Sequence, residues 1–132
     1  MYLLDTNICI YAIKGCYPEL NKKLLSISPD QILISSITYG ELEYGAAKSH
    51  WGDRTRLTMH AFLSNYKILP FTAIDTACFG LIRADLESQG LAIGVLDAMI
   101  GAQGVSNNLI VITHNSREFA RIPGVQIEDW VS

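Results

Sequence analysis

Acidic and amide side chains recur beside predicted strand ends and in the early turns of predicted helices, where they could bind a cation. Asp5 ends an apolar run, Glu41 lies one to two turns into a helix, and Asp97 opens another helix. Asn115 and Glu118 follow the most apolar strand of the chain. Because the carboxyl ends of parallel strands meet at one edge of a sheet, we expect Asp5, Glu41 and Asp97 to share a pocket there.

The charge of such a pocket indicates its chemistry. Carboxylates that are brought together repel one another, and burying them is costly unless protons or a cation neutralise the charge. Oxygen ligands alone suit a hard cation, Mg²⁺ or Mn²⁺, which keeps several waters and commonly shares its shell with a phosphate. Such an ion activates water and stabilises charge on phosphorus oxygens, so the pattern predicts a metal-assisted phosphodiesterase.

Each of these positions also has a purely structural interpretation. An Asp that precedes a helix, as Asp5 does, is commonly an N-cap. Thr38 and Glu41 have the spacing of a capping box, and the segment 115–118 has the same spacing. Asp97 suits the positive end of its helix dipole. The recurrence of oxygen ligands at matching places along the chain is what favours a site.

Strands and helices alternate along the chain, which predicts one doubly wound α/β domain over residues 1–132 with a parallel sheet of about four to five strands. Apolar runs predict strands at 2–5, 31–35, 68–70, 109–113 and 125–127. Periodic apolar spacing predicts helices at 8–13, 19–27, 36–48, 54–66, 73–88, 96–106 and 117–120, with a loop at 50–53.

Two of these helices carry apolar stripes that should face the core. In the helix at 54–66 the predicted inward residues are Leu57, Ala61 and Phe62. In the helix at 73–88 the stripe comprises Ile74, Ala77, Cys78, Leu81, Ile82 and Leu86.

The composition is typical of a globular domain, with 49% hydrophobic and 17% charged residues among 132. The net charge of −3 gives no argument for nucleic-acid binding, so a polyanion would have to approach through local groups of basic residues. Ordinary solvated helix faces are the favoured explanation of those groups. Cys9, Cys16 and Cys78 lack zinc-ligand spacing and indicate reduced thiols, with Cys9 and Cys78 in the core. With no membrane-length apolar run and no signal-peptide pattern, we expect a cytoplasmic protein that does not bind membranes.

Four short motifs occur in a fixed order, and together they are more specific than any one of them. They are Leu4-Asp5-Thr6-Asn7, Thr38-x-x-Glu41-Leu42-x-Tyr44-Gly45-Ala46, Gln89-Gly90-x-x-Ile93-Gly94-x-x-Asp97 and Thr113-x-Asn115-x-x-Glu118-Phe119, followed at the end by Glu128-Asp129-Trp130. In this order the sequence resembles the PIN-domain toxins of type II toxin–antitoxin systems, the VapC-like ribonucleases, over the whole chain.

The resemblance implies an α/β/α sandwich that cleaves RNA with Mg²⁺ or Mn²⁺ held by an acidic cluster. Asp5, Glu41 and Asp97 match the three central carboxylates of the family and are the expected ion ligands and catalytic residues. Many PIN domains carry an Asp where this chain has Asn115, although a branch of the VapC-like toxins shares the Thr-x-Asn-x-x-Glu-Phe pattern. We therefore expect Asn115 to belong to the catalytic set and one ion to be firmly held.

Four further residues are expected around the ion or in contact with the substrate: Thr6, Asn7, Thr113 and Glu118. Thr6 and Asn115 would orient a carboxylate or the attacking water by hydrogen bonding. The resemblance implies in-line attack on phosphorus that leaves a 5′-phosphate and a 3′-hydroxyl.

The resemblance also implies partners. Initiator tRNA, cut in its anticodon loop, is the leading candidate substrate. A homodimer and a VapB-like antitoxin are expected, and the antitoxin would insert Arg or Lys into the acidic pocket. Leu57, Phe62 and Leu63 are candidate groove residues for it, although core packing explains them nearly as well.

Other classes of protein fit less well. A phospho-acceptor receiver domain needs an acidic pair near the first strand and a Lys after a later one, but this chain has a single Asp5 there, and Ile122 precedes Pro123. A haloacid-dehalogenase-like phosphatase needs Asp-x-Asp, whereas position 7 is Asn7. A catalytically silent PIN fold that only binds a partner remains an alternative, against which the retained carboxylates argue.

Overall fold

Five short apolar runs pair as a wholly parallel sheet in the computed structural model, which describes residues 1–49 and 52–131. In chain order the strands are β1 (Tyr2–Leu4), β2 (Ile32–Ser35), β3 (Lys67–Leu69), β4 (Ile110–Ile112) and β5 (Gln126–Glu128). Their order across the sheet is β3-β2-β1-β4-β5. The predicted α/β class with a parallel sheet of four to five strands is confirmed.

The helices fall close to the predicted positions. They are α1 (Thr6–Lys14), α2 (Pro18–Leu25), α3 (Ser36–Lys48), α4 (Asp53–Ser64), α5 (Ala73–Ser88), α6 (Val95–Ser106) and α7 (Ser116–Phe119). The loop predicted at 50–53 lies partly outside the described residues, since these omit positions 50 and 51. None of the helices within the described ranges is long and apolar enough to cross a membrane.

Side chains on the two faces of the sheet enter two separate layers of the core. Leu3 and its register partners Leu33 and Val111 join the layer beneath α5 and α6. Leu4, paired with Ile34 and Ile112, joins the opposite layer beneath α1, α2 and α4. This alternation follows from the period of two in a strand and gives the α/β/α sandwich that the family resemblance implied.

The inward faces of α4 and α5 differ from those predicted. In α4 the buried residues are Met59 and Leu63, whereas Leu57 is 70% exposed. In α5 Ile82 is buried, but Leu81 is 76% exposed. Met59 and Leu63 have the same i, i+4 spacing as Leu57 and Ala61, so periodicity alone does not decide which of the two pairs faces the core.

The cysteine prediction is confirmed for Cys9, which is fully buried, whereas Cys78 is only partly buried and Cys16 is exposed. All three are free thiols.

The edge of the sheet that matters for function lies where β1 and β4 end. The chain leaves β1 toward β2 and β3 and later returns on its other side as β4, so a crevice opens between the carboxyl ends of β1 and β4. Helix α6 packs closely on β4 because Gly104 has no side chain, and a Cβ there would lie 2.5 Å from Val111 Cγ2. The N-terminus of α6 lies at the crevice, where the charge of Asp97 in its first turn acts on Asp5.

Candidate active site

Asp5 lies at the centre of the crevice and is only 3% exposed. It follows β1 directly, and its backbone N–H continues the sheet by donating to the Ile112 carbonyl over 3.0 Å. Its Oδ1 accepts a 2.8 Å hydrogen bond from the backbone N–H of Ile8 and so caps α1. The capping interpretation of Asp5 is therefore correct, but it occupies only one oxygen of the carboxylate.

Thr113, which is fully buried after β4, supplies a second hydrogen bond to Asp5. Its Oγ1 accepts a 2.9 Å hydrogen bond from the backbone N–H of Asn115. Since the Thr113 hydroxyl receives that bond, its own hydrogen is available to the Asp5 carboxylate. The ends of β1 and β4 are thus joined through side chains, and Asp5 is held in one orientation.

The electrostatic environment disfavours a negative charge on Asp5. The pKa of Asp5 is raised from 3.8 to about 6. Burial is the main cause and the charges of Asp97 and Glu41 add to it, while the hydrogen bonds from Thr113 and Ile8 act in the opposite direction. A buried carboxylate of this kind has a raised affinity for a proton or a cation.

Glu41 is positioned by threonines from two helices. Thr6 Oγ1 donates a 2.7 Å hydrogen bond to Glu41 Oε1. Thr38 Oγ1 lies 3.0 Å from Thr6 Oγ1, and because the Thr6 hydrogen goes to Glu41, Thr38 is the donor of that contact. The capping-box interpretation of Thr38 and Glu41 is wrong, because α3 begins earlier and its N-cap is Ser35, which accepts from the Ile37 N–H.

Asp97 stands in the first turn of α6, after the N-cap Gly94. Partial burial raises the pKa of Asp97, the charge of Glu118 raises it further, and a side-chain hydrogen bond from Asn115 lowers it. Asn115 Nδ2 also donates a 3.0 Å hydrogen bond to Glu118 Oε2. The Asn115 amide therefore lies between two carboxylates and offsets their repulsion.

The capping interpretation of segment 115–118 also fails, although Asn115 is the N-cap of α7 by position. The Asn115 side chain makes no capping hydrogen bond to a backbone N–H of the described residues and donates to Glu118 instead.

The predicted site residues thus lie at one edge of the sheet, but they do not all converge. Asp5 interacts by charge with Asp97 and Glu41, and Asp97 with Glu118. Among residues 1–49 and 52–131, no three His, Cys, Asp or Glu side chains form a ready group of ion ligands. Asn7 is exposed and makes no hydrogen bond through its side chain to any described residue.

These observations test whether a cation fits the site. Its donor atoms are all oxygens, which suit Mg²⁺ or Mn²⁺. The pKa values of Asp5 and Asp97 are raised, so a nearby positive charge would stabilise both carboxylates in their charged form. The chemistry of these residues therefore fits a hard divalent cation, although no three of the described acidic side chains are already assembled around one.

The sequence did not reveal the roles of several residues near the crevice. The spacing of Thr38 suggested a helix cap, whereas its hydroxyl supports Thr6. His114 Nδ1 lies 2.9 Å from Asp129 Oδ2, and its ring contacts those of Tyr11 and Tyr17. No local sequence pattern indicates these long-range contacts.

Replacing the central carboxylate should stabilise the protein. Because the pKa of Asp5 in the folded state is raised above 3.8, the folded state binds more protons than the unfolded state between about pH 4 and 6, and stability falls as the pH rises through that range. Asp5→Asn keeps a capping oxygen without the charge. At pH 7 in EDTA we expect its free energy of unfolding to rise by up to about 3 kcal/mol, measured by urea denaturation.

This gain should disappear toward pH 4, where the wild-type carboxyl is itself protonated in the folded protein. Asp53→Asn is the matched control, since Asp53 also lies at a helix N-terminus but is exposed, and its effect should stay within about 0.5 kcal/mol. A destabilised Asp5→Asn protein at pH 7 would contradict the electrostatic description of the site.

Known proteins match this chain over nearly its whole length. The PIN domain family model matches residues 2–125. The tRNA(fMet)-specific endonuclease VapC of Salmonella typhimurium is 40% identical over 129 residues, covering 98% of this chain and 97% of that protein. Ribonuclease VapC2 of Rickettsia felis is 39% identical and covers 98% of each chain.

A solved structure is similar over nearly the same length. In the crystal structure of VapBC2 from Rickettsia felis bound to a DNA fragment from their promoter, the matching chain is 37% identical, with a TM-score of 0.91 and 98% of each chain covered. The motif order predicted the same assignment, and the chain belongs to the PIN-domain family and, within it, to the VapC-like ribonuclease toxins.

Proposed function

We propose that Asp5, Glu41 and Asp97 hold one divalent cation, Mg²⁺ or Mn²⁺, and that this pocket cleaves a phosphodiester bond of RNA. The observation that carries the proposal is the buried Asp5 carboxylate, whose pKa of about 6 reflects its burial and two neighbouring carboxylates. Such a carboxylate destabilises the fold unless a positive charge joins it. The same unfavourable burial strengthens the attraction of the pocket for a cation, which a metal-dependent enzyme requires.

The chemistry that a bound ion supplies is activation of a water and stabilisation of the charge that develops on the phosphate. The chain contributes orientation. The Ile8 N–H and the Thr113 hydroxyl hold Asp5, and the Thr6 hydroxyl holds Glu41, so each carboxylate keeps one oxygen fixed. In-line attack then leaves a 5′-phosphate and a 3′-hydroxyl.

We propose a single firmly held ion because of the residues on the Asp97 side of the pocket. The amide of Asn115 is neutral where many family members have a carboxylate, and it is already engaged with Glu118. Asn115 and Glu118 would orient Asp97 and the attacking water. Asn7, which is exposed beside Asp5, would contact the substrate.

The proposed substrate is initiator tRNA, cut in the anticodon loop. Support comes from the name of the Salmonella typhimurium relative, a tRNA(fMet)-specific endonuclease that is 40% identical over 129 residues. The proposed place of action is the cytoplasm, where this RNA is found.

The proposed partners are a VapB-like antitoxin and a second copy of the chain. Exposed Leu57 and half-buried Phe62 on α4 offer apolar surface for the antitoxin, but Leu63 is only 5% exposed and belongs to the core. Exposed Tyr44 and Leu96 line an open groove with Glu41, and this apolar surface beside the site suits the dimer contact.

Cleavage of RNA by the purified chain tests this proposal. We expect a discrete cut in total tRNA with Mg²⁺ or Mn²⁺ and none in EDTA. Asp5→Asn and Asp97→Asn should each lower the rate by at least about 100-fold, because each removes a negative ligand from the ion. Asp53→Asn, which changes an equally charged but exposed residue, should cut like the wild type. The products are resolved on a denaturing gel and their ends identified by phosphatase and kinase treatment.

The result has clear alternatives. If the folded wild type, freed of antitoxin, leaves both total tRNA and initiator tRNA intact with either ion, the proposed activity is wrong and the silent binding module takes its place. Equal cleavage in EDTA would show that the reaction needs no divalent cation.

The contact between Thr6 and Glu41 gives a second test. Thr6→Val removes the hydroxyl that holds Glu41 but keeps the side-chain shape, so we expect cleavage to fall by about 10- to 100-fold at fixed Mg²⁺. Part of the loss should be recovered at higher Mg²⁺, because a misoriented ligand weakens ion binding. Thr6→Ser retains the hydroxyl and should cleave at a rate near that of the wild type. A fully active Thr6→Val protein would show that Glu41 needs no positioning by Thr6.

A further inference from the structure

Three aromatic rings meet beside the acidic pocket, and the proposed cleavage reaction does not use them. Tyr11 and Tyr17 lie edge to face with ring centroids 5.0 Å apart. The His114 ring lies 6.2 Å from Tyr17 and 6.5 Å from Tyr11. We call Tyr11, Tyr17 and His114 the ring cluster. Each ring contacts the other two, so the cluster is rigid without being fully buried.

The ring cluster adjoins the candidate active site through the chain itself. His114 stands between Thr113, which hydrogen-bonds to Asp5, and Asn115, which hydrogen-bonds to Asp97. Tyr11 lies on α1, the helix that Asp5 caps, and the Asp5 charge contributes to the raised pKa of Tyr11 after burial and Tyr17. A strand of RNA whose phosphate enters the pocket therefore has neighbouring nucleotides close to these rings.

A hydrogen bond orients the most exposed ring of the cluster. His114 Nδ1 lies 2.9 Å from Asp129 Oδ2, while 40% of the His114 side chain remains exposed. Asp129 Oδ1 in turn accepts from the Val131 N–H over 2.9 Å, so the carboxylate is anchored to the backbone. A ring that is held in place and still accessible can accept a stacked base at little cost in entropy.

Basic and aromatic side chains continue the surface away from the pocket. An open groove beyond Asp129 is lined by Glu19, Lys22, Lys23, Asp129 and Trp130. The Lys23 Nζ lies 5.6 Å from the centre of the Trp130 ring. The Lys22 Nζ lies 3.9 Å from Oε1 of exposed Glu19, which is a long ion-pair distance. Rings and cations thus lie together along one edge of an otherwise acidic site, a combination that single-stranded nucleic-acid binding surfaces use.

We propose that the ring cluster stacks a nucleobase of the RNA strand next to the cleaved phosphate, with Lys22 and Lys23 contacting the phosphates beyond it. This inference rests on the proposed ribonuclease activity and adds the surface that positions its substrate. Stacking tolerates any base, because every base has a π face, so the ring cluster selects unpaired nucleotides rather than a sequence. It therefore favours a loop over a duplex.

Fluorescence of a stacked base tests the proposal directly. The probe is a hairpin oligoribonucleotide with the anticodon loop of initiator tRNA, carrying 2-aminopurine at one loop position at a time. Binding is measured with Mg²⁺ in the Asp5→Asn chain, which should bind without cutting, and with Tyr17→Leu, Tyr17→Phe or Tyr66→Leu added. Tyr66 is the matched control, because its ring also lies edge to face with another, that of Phe62, but precedes β3 at the opposite edge of the sheet.

We expect at least one loop position to lose fluorescence on binding to the Asp5→Asn chain, to its Tyr17→Phe variant and to its Tyr66→Leu variant. With Tyr17→Leu that quenching should vanish and the dissociation constant should rise by about 5- to 100-fold. His114→Leu changes the more exposed ring and should act in the same direction, so a folding defect of Tyr17→Leu would not decide the result.

Two outcomes would overturn the proposal. One is that Tyr17→Leu and His114→Leu both bind and quench the probe as their parent does. The other is that they bind RNA normally but weaken inhibition by the antitoxin, which would place the ring cluster in a protein interface. Cleavage of the unlabelled hairpin by the wild type is followed in parallel. A wild type that cuts while the ring variants behave as their parent refutes only the stacking, whereas a wild type that neither binds nor cuts refutes the ribonuclease proposal as well.

Discussion

One buried carboxylate at the end of the central strand is the constraint on which the rest of the site depends. Asp5 joins three tasks: it continues the sheet through its N–H, caps α1 through Oδ1, and presents a charge to the crevice. The first two tasks fix its position, so its charge cannot move away from Asp97 and Glu41. The core on both sides of the sheet and the hydrogen bonds to Asp5 offset the cost of the repulsion that results.

Two chains of hydrogen bonds lead to the carboxylates of the crevice, one from a backbone N–H and one from a buried hydroxyl. One runs from the Asn115 N–H through the Thr113 hydroxyl to Asp5, and the other runs from Thr38 through Thr6 to Glu41. The hydroxyls of Thr113 and Thr6 both accept and donate, so their orientations are determined. Such chains hold a carboxylate in place without neutralising it, which preserves its attraction for a cation.

The sequence predicted the parts of the molecule that local chemistry determines. Apolar runs gave the strands, and the position of Asp5 after the first run indicated both the cap and the site, because a strand end in a parallel sheet faces the crevice. The face of α4 was predicted wrongly at Leu57 and Ala61, although Phe62 does pack against the core. Leu57 and Met59 both belong to helical stripes, and only packing against the sheet selects Met59. Other roles could not be predicted because they depend on tertiary contacts. Thr38 on α3 contacts Thr6 on α1, and the His114 ring contacts Tyr17 from a distant segment of the chain.

Asp5 is a buried acid whose charge attracts a cation, and the titration of its own carboxyl group is the sharpest test of this. The ¹³C shift of the Asp5 carboxyl carbon would be followed by NMR against pH, without and with Mg²⁺, after assignment by loss of the signal in Asp5→Asn. We predict a pKa of about 6 without the ion and a clear downward shift when Mg²⁺ is added, because a bound cation favours the charged form. An ordinary aspartate pKa that Mg²⁺ leaves unchanged would show that burial does not disfavour the Asp5 charge and that this charge does not bind the ion.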